Sequence, residues 1–322
     1  MSARPLRIVL LATLVSFLPF LVPSRGEEAV VAADGSGRFT SVQEAINAAP
    51  QTASASNPWI IRIKNGTYKE LIYAQREKRF VRLVGEDASK TVLTHNLHAK
   101  MIGLDGKEIG TFRTPTATLD ADDFSVENLT IENSAGPVGQ ALAIRIDGDR
   151  VTFRHCRFLG WQDTIFANRG RQYFENCYIA GHVDFIFGGA TAWFEKCELH
   201  CLKDGYVAAA STPEESPFGF VFSRCRLAGE SAEVRTWLGR PWRAFASTIY
   251  LHCEMPALVR PAGWMNWGQP ERERTARYAE GGCTGEGARR DQRVPWAKQL
   301  SEDELKAITI EGVLGGPDHW KP

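Results

Sequence analysis

An excess of positive or negative charge is missing from this chain. Its 322 residues hold 38 Lys plus Arg and 38 Asp plus Glu, so nothing marks a nucleic-acid backbone or an acidic membrane surface as its partner. A long apolar run is missing too. The one candidate, Ile8 to Val22, has 15 residues and is broken by Pro19, short of the roughly 20 needed to span a bilayer. No CxxC pair occurs among the seven cysteines, which leaves zinc-ribbon chemistry without support. Between residues 120 and 255 no segment carries a 3.6-residue apolar period, and the Leu-x-x-Leu-x-Leu phrase is absent. Helical bundles and leucine-rich repeats are therefore set aside.

What is present begins with a separable N-terminus. Arg4 and Arg7 precede the apolar run, and small residues at Val22 and Ser24 offer a cleavage point. Residues 1–24 read as a secretory signal and residues 25–322 as one mature domain; a membrane anchor or a buried helix is the competing reading. No Cys lies near residue 24 to carry a lipid. Removing the segment takes two arginines and no acid, leaving 36 basic against 38 acidic residues. The expected product is secreted, extracellular or periplasmic, near neutral and monomeric, with no membrane attachment. An apolar fraction of 43% is ample for a core.

The body of the chain repeats itself. "FRHC" (Phe153–Cys156), "FENC" (Phe174–Cys177), "FEKC" (Phe194–Cys197), "FSRC" (Phe222–Cys225) and "YLHC" (Tyr250–Cys253) mark successive units, with Asn128 in "FSVENLTI" as an earlier version. The intervals are 28, 21, 20, 28 and 28 residues, the spacing of a solenoid. Each unit is a short alternating run of Phe, Val, Ile and Leu stopped by Gly, Asn or Asp. Strand-only coils of this length predict a right-handed parallel β-helix. The cysteines then form an inward column, either as unpaired core thiols or with Cys177 bridged to Cys197 on adjacent turns. Ser41 with Glu44, and Ser301 with Glu304, predict capped helices suited to covering the ends of the coil. Residues 256–298 read as long loops, and no linker or second domain is visible.

Two acids stand out. Asp163 lies seven residues after Cys156, and Asp184 seven after Cys177, so they stack on one face of neighbouring turns. Close carboxylates favour one shared proton, which suits one as nucleophile or base and the other as acid. Solvated turn aspartates are the bland alternative. The setting of Asp184 among Val183, Phe185, Ile186 and Phe187 argues against it. Asp204, also seven after its cysteine, sits in the polar "LKDGYV" and reads as structural. Gln140 and Gln162 can donate to an oxyanion. Arg240 can grip a carboxylate and Trp242 can face a sugar ring.

These residues carry a resemblance. "GQALAI", "GWQDT", "GHVDFIFGGA" and "LGRPW", in that order, are similar to the signature segments of the pectin methylesterases (pectinesterases), carbohydrate esterase family 8. "VAADGSGRFTSVQEAINAAP", "NGTYKE", "GWMNW" and "RYAE" extend it over about residues 29–315. The resemblance implies a right-handed parallel β-helix that needs no metal or cofactor and acts on pectin, the homogalacturonan polysaccharide. It makes Asp184 the nucleophile and Asp163 the general acid, then base, with Gln140 and Gln162 steadying the oxyanion. Arg240 would orient Asp184 and, with Trp242, Phe187 and Thr111, contact the galacturonate chain. Two departures are visible. Phe166 stands where tyrosine is common, altering one sugar contact, and no long inhibitor-like pro-region is present, so autoinhibition by that route is not expected.

Other readings compete. A polygalacturonase lacks its Gly-His-Gly here, and an inverting one needs wider-spaced carboxylates. A pectate lyase needs clustered acids for calcium, and none stand out. A non-catalytic carbohydrate-binding β-helix leaves the buried acid pair unexplained. An esterase or thioesterase acting on another substrate keeps the same chemistry.

Overall fold

The computed structural model describes residues 28–322; the expected signal segment, residues 1–24, lies outside the described residues. Most strands are three to five residues long, as the Gly, Asn and Asp stops require. They pair in parallel with the strand one turn away. Eleven make one sheet and twelve make a second. Two long strands, Tyr178–Gly188 and Glu198–Ala210, run round a corner and join the two flanks of the second sheet. The coil therefore has three faces, and the parallel β-helix expected from the repeat is the observed architecture.

The repeat phrase is the core. Phe153, Phe174, Phe194, Phe222 and Tyr250 fall in register on successive turns. Their rings stack with centroids 4.7, 4.5, 4.6 and 4.6 Å apart. Parallel strands about 4.8 Å apart impose that spacing. Directly before each inward cysteine the chain turns a corner. His155, Asn176, Lys196, Arg224 and His252 all adopt left-handed backbone, with φ of 52–53°. Asn128, φ 58°, does the same before Leu129. The equivalent of the cysteines in the earliest unit is thus Leu129, and Asn128 corresponds to the corner. A side chain at φ > 0 is uncommon; here it turns the next residue into the core.

The seven cysteines are all free thiols, so the Cys177–Cys197 bridge is not formed. Cys177 Sγ lies 3.7 Å from the Phe153 carbonyl oxygen and Cys197 Sγ 3.6 Å from that of Phe174. Each thiol also lies near a carbonyl of its own turn, at 3.4 Å from Glu175 and 3.5 Å from Glu195, and, as a reduced group, within hydrogen-bonding reach of its neighbours in the column. Cys283, half-buried after Gly282 (φ 66°), extends the ladder beyond the phrases visible in the sequence.

Helix α1 (Val42–Asn47) buries Val42, Ala45 and Ile46 at the N-terminal end. The Ser41 hydroxyl accepts from the Glu44 N–H at 3.2 Å, but the reciprocal half of the expected capping box is absent. Glu70, from "NGTYKE", supplies a carboxylate to this helix start instead. Its carboxylate accepts from the Val42 and Gln43 N–H groups and the Ser41 hydroxyl, since an anion is favoured at a helix N-terminus. Ser301 and Glu304 do form the full box, at the start of α2 (Glu302–Ala307). Yet α2 and α3 (Ile310–Leu314) do not close the far end. Leu305, Val313 and Leu314 pack on Tyr173, Trp193, Val221 and Ile249, the outward side of the eleven-stranded sheet. Those outward apolar residues are what the amphipathic C-terminus covers. Residues 256–298 are not loop throughout: Arg277–Gly281 adds a strand to the sheet. Trp264 is 1% exposed, packed between Tyr250, which it meets edge-on, and Tyr278, which it meets at a tilt.

An unpaired ladder makes a countable prediction. Without reductant, a thiol reagent should label seven cysteines in the denatured protein, and in the native protein Cys283 ahead of the others. A denatured count of five would mean that one bridge exists.

Candidate active site

The sequence places a glycine three residues before each stacked aspartate. A Cβ on Gly181 would lie 2.2 Å from the Phe185 Cβ, and one on Gly160 would lie 2.7 Å from the Thr164 Oγ. The missing side chains let Thr164 and Phe185 turn fully into the core. The aspartates just ahead of them take left-handed backbone, with φ 66° at Asp163 and 49° at Asp184, and their carboxyl groups face a cleft outside the coil. Aspartate is one of the few residues that tolerate this conformation. Ile165 and Phe166 pair with Ile186 and Phe187, which sets Asp163 directly over Asp184. The Asp163 N–H donates to the Val183 carbonyl at 3.1 Å.

A cleft of about 370 Å³ opens over the pair. It is lined by Asp163, Asp184, Gln140, Gln162, Arg240, Trp242, Thr111 and Phe187, every residue singled out from sequence. Gln140 and Gln162 occupy adjacent turns through a parallel bridge. Among the described residues neither side-chain amide has a hydrogen-bond partner, so both are available to a ligand. Thr111 begins a short 3-10 turn, Thr111–Arg113. The buried Thr114 hydroxyl pins that turn, donating to the Thr111 carbonyl at 2.7 Å and accepting from the Leu142 N–H at 3.0 Å. Thr111 therefore faces the cleft, while Thr114 and Thr116 are structural. Asp204 is exposed on the long strand Glu198–Ala210 rather than in the polar turn its sequence suggests, and it is bonded to Arg260 and to the Arg235 N–H, a structural role.

The two carboxyl groups are equally buried and unequally partnered. Asp163 is 8% exposed and Asp184 5%. Arg240 donates to Asp184 through Nε at 2.8 Å and Nη2 at 2.6 Å, whereas the Asp163 carboxyl has no hydrogen bond among the described residues. Burial, then the charge on Asp184, push Asp163 well above the usual carboxylate range, with Arg240 opposing. Burial raises Asp184 too, and the two bonds from Arg240 work against that rise. Bidentate arginine is the strongest available partner for an ionised carboxylate. The partnering thus favours the charge on Asp184 and the proton on Asp163.

Sequence reasoning missed Phe112, Ala209, Trp267 and Tyr206. Phe112 leans on Phe166 at 5.1 Å, and Phe166 stacks on Phe187 at 4.6 Å, so Phe166 supports an aromatic floor. Ala209 follows Phe187 one turn on, where a small side chain leaves the cleft open. Trp267 lies inside the quoted "GWMNW", and the motif was the only signal for it. Tyr206 carried no signal at all. Among the described residues no group of three His, Cys, Asp or Glu is placed to hold a metal ion.

Comparisons with known proteins follow the same geometry. A family model described as Pectinesterase matches residues 28–316. A curated relative from Arabidopsis thaliana, Pectinesterase 31, is 40% identical over 286 residues, 85% of this chain and 88% of that protein. Among solved structures, the pectin methylesterase from carrot superposes with a TM-score of 0.83 at 32% identity, over 90% of this chain and 93% of the other. A pectin methylesterase solved in complex with a hexasaccharide gives 0.80 at 29% identity, over 91% and 98%.

The glycine before each aspartate can be tested without touching the cleft. Gly181→Ala forces a contact that typically costs about 1–3 kcal/mol, expected to lower Tm by about 2–4 °C per kcal/mol. Because Asp184 is displaced with the corner, kcat should fall as well. An unchanged Tm and kcat would show that the corner absorbs the methyl group and does not position the acid.

Proposed function

This chain belongs to the pectinesterase family, and from that premise we propose that its two cleft aspartates divide the work of ester hydrolysis, Asp184 as nucleophile and Asp163 as proton carrier. The enzyme removes methyl esters from pectin. One observation carries the division of roles: Arg240 chelates Asp184 alone, although both acids are buried.

The steps follow from that asymmetry. The Asp184 carboxylate attacks the ester carbonyl carbon, and the carbonyl oxygen becomes an oxyanion. Gln140 and Gln162, with free amides, donate to it without adding charge. As the tetrahedral intermediate collapses, the C–O bond to the methoxy group breaks and Asp163 supplies the proton that makes methanol. This leaves an acyl-enzyme anhydride on Asp184 and a carboxylate on Asp163. Water then enters; Asp163 takes one of its protons while its oxygen attacks the acyl carbon. Collapse releases the galacturonate carboxyl and returns Asp184 as a carboxylate beside Arg240. Trp242, Phe187 and Thr111 hold the sugar chain against the pair, with rings supplying the apolar faces. Splitting one displacement into two is the gain of covalent catalysis.

The remaining parts of the reading concern the whole protein. Residues 1–24 serve as an export signal, residues 25–322 form one catalytic domain, and the mature enzyme acts outside the cell or in the periplasm as a monomer. One continuous core cluster running the length of the coil supports a domain that stands alone.

The assignment is tested by methanol release from esterified pectin. Asp184→Asn should abolish turnover; retention of more than about a tenth of kcat, a barrier change under about 1.4 kcal/mol, would remove the nucleophile role. In pH, activity needs Asp184 ionised and Asp163 protonated. Both folded values are raised, so the acid limb should sit above the usual carboxylate range and the alkaline limb higher still. Asp163→Asn should lower kcat about 10²–10⁴-fold and erase the alkaline limb. Its acid limb should stay, because Asp163 is neutral while Asp184 titrates. An alkaline limb that survives Asp163→Asn would assign it to another group.

A further inference from the structure

Arg240 is held from both faces. Its Cζ lies 3.9 Å from the Tyr206 ring centroid and 3.8 Å from that of Trp267, so the guanidinium is the filling between two aromatic rings. Only the edge of the group is left free, and that edge carries the two bonds to Asp184. Planar guanidinium stacks well on aromatic faces, which lysine cannot imitate.

The two rings reach Arg240 from different parts of the chain. Tyr206 pairs with Val183 one turn back, the residue directly before Asp184, so its position is set by the coil itself. Trp267 comes from the long loop after the last complete turn. Its φ is 64°, a conformation disfavoured for a bulky side chain and seen where the surroundings over-determine it. The surroundings here are specific. Asn266 donates to Glu273 at 2.6 Å and accepts from the Gly268 N–H at 2.9 Å. Arg272 donates to the Pro241 carbonyl at 2.5 Å, tying the loop to the segment that carries Arg240. Local strain thus coincides with the face presented to Arg240.

We propose that Tyr206 and Trp267 are positioning residues of the reaction, which clamp the Arg240 guanidinium so that its edge stays bidentate to Asp184 through the catalytic cycle. The need is physical. Asp184 loses its charge when it becomes acylated, and Arg240 then loses its partner within the cleft. An unclamped arginine side chain has many rotamers to visit at that moment. With both faces covered, the guanidinium waits in place and receives the carboxylate when the acyl group leaves. Tyr206 and Trp267 touch neither Asp163 nor Asp184 by a hydrogen bond; they act through Arg240. This rests on the assignment of Asp184 as nucleophile.

The experiment compares Tyr206→Phe, Tyr206→Leu, Trp267→Phe and Trp267→Leu with wild type and Asp184→Asn. Methanol release from fully esterified pectin is followed across pH, and Tm is measured for each. The groups facing Asp184 are Arg240, Asp163 and His182, and none is altered by these substitutions. The Phe variants keep a ring face and should keep near wild-type kcat and pH profile. The Leu variants should lose about tenfold in kcat, the scale of a desolvated cation–π contact. Their acid limb should move to higher pH, because a loosened Arg240 lowers the Asp184 value less. An acid limb unmoved in both Leu variants, or a rise in KM with kcat unchanged, overturns the proposal and leaves the rings as sugar contacts. Should Tyr206→Leu fold poorly, Trp267→Leu, on the outer loop, decides alone. If Asp184→Asn stays active, the failure lies with the nucleophile assignment.

Discussion

Parallel register between neighbouring turns is the constraint on which the active site rests. Two residues that occupy the same place in successive coils are brought within about 4.8 Å by the ladder, whatever their charge. For most positions the result is a stack of like rings, as in Phe153, Phe174, Phe194, Phe222 and Tyr250. At one corner the repeated residue is aspartate, and the same register presses two carboxyl groups together in a place from which water is mostly excluded. The energy of the whole coil, many buried rings at about 1.5–3 kcal/mol each, holds an arrangement that the two acids by themselves would oppose.

What breaks the symmetry of the pair comes from outside the two turns. Arg240 arrives from a later coil and chooses Asp184. Tyr206 and Trp267 hold Arg240, and the loop ties around Trp267 hold the outer ring. Charge assignment is thus passed inward through successive contacts, from a loop to an aromatic face, to a guanidinium, to a carboxylate. Asp163, which has no such support, is left with burial and a neighbouring anion, and both favour its proton.

The same separation of local and distant causes governs which features are legible in the sequence. Ser301 and Glu304 close a capping box within four residues, and the motif is legible in sequence because both partners are local. Ser41 and Glu44 carry the same signature, but the box stays half-formed, and Glu70, just past a neighbouring strand, takes the Ser41 hydroxyl and the Val42 and Gln43 N–H groups. The C-terminal helices were expected at the end of the solenoid. Whether they cap the end or lie along the side depends on where uncovered apolar surface remains, and Tyr173, Trp193 and Val221 supply it on the outer face of the sheet. Spacing suited to a Cys177–Cys197 bridge exists, yet both remain free thiols bonded to carbonyls of their own and the preceding turn.

Periodicity by itself determined the coil, the inward column and the pairing of Asp163 with Asp184, because a repeat fixes equivalence between residues and equivalence fixes stacking. The order of short motifs identified the family and so pointed to Gln140, Gln162, Arg240, Trp242, Thr111 and Phe187, all of which reach the cleft. Only the tertiary structure decided which acid keeps the charge, where the C-terminal helices lie, and that Tyr206 and Trp267 face each other across Arg240. Those outcomes depend on side chains far apart in sequence meeting in space: Arg240 reaches Asp184 at 2.6–2.8 Å and lies 3.8–3.9 Å from the rings of Trp267 and Tyr206. No period or local motif in the chain encodes such a meeting; the packing of one coil and one loop against another creates it.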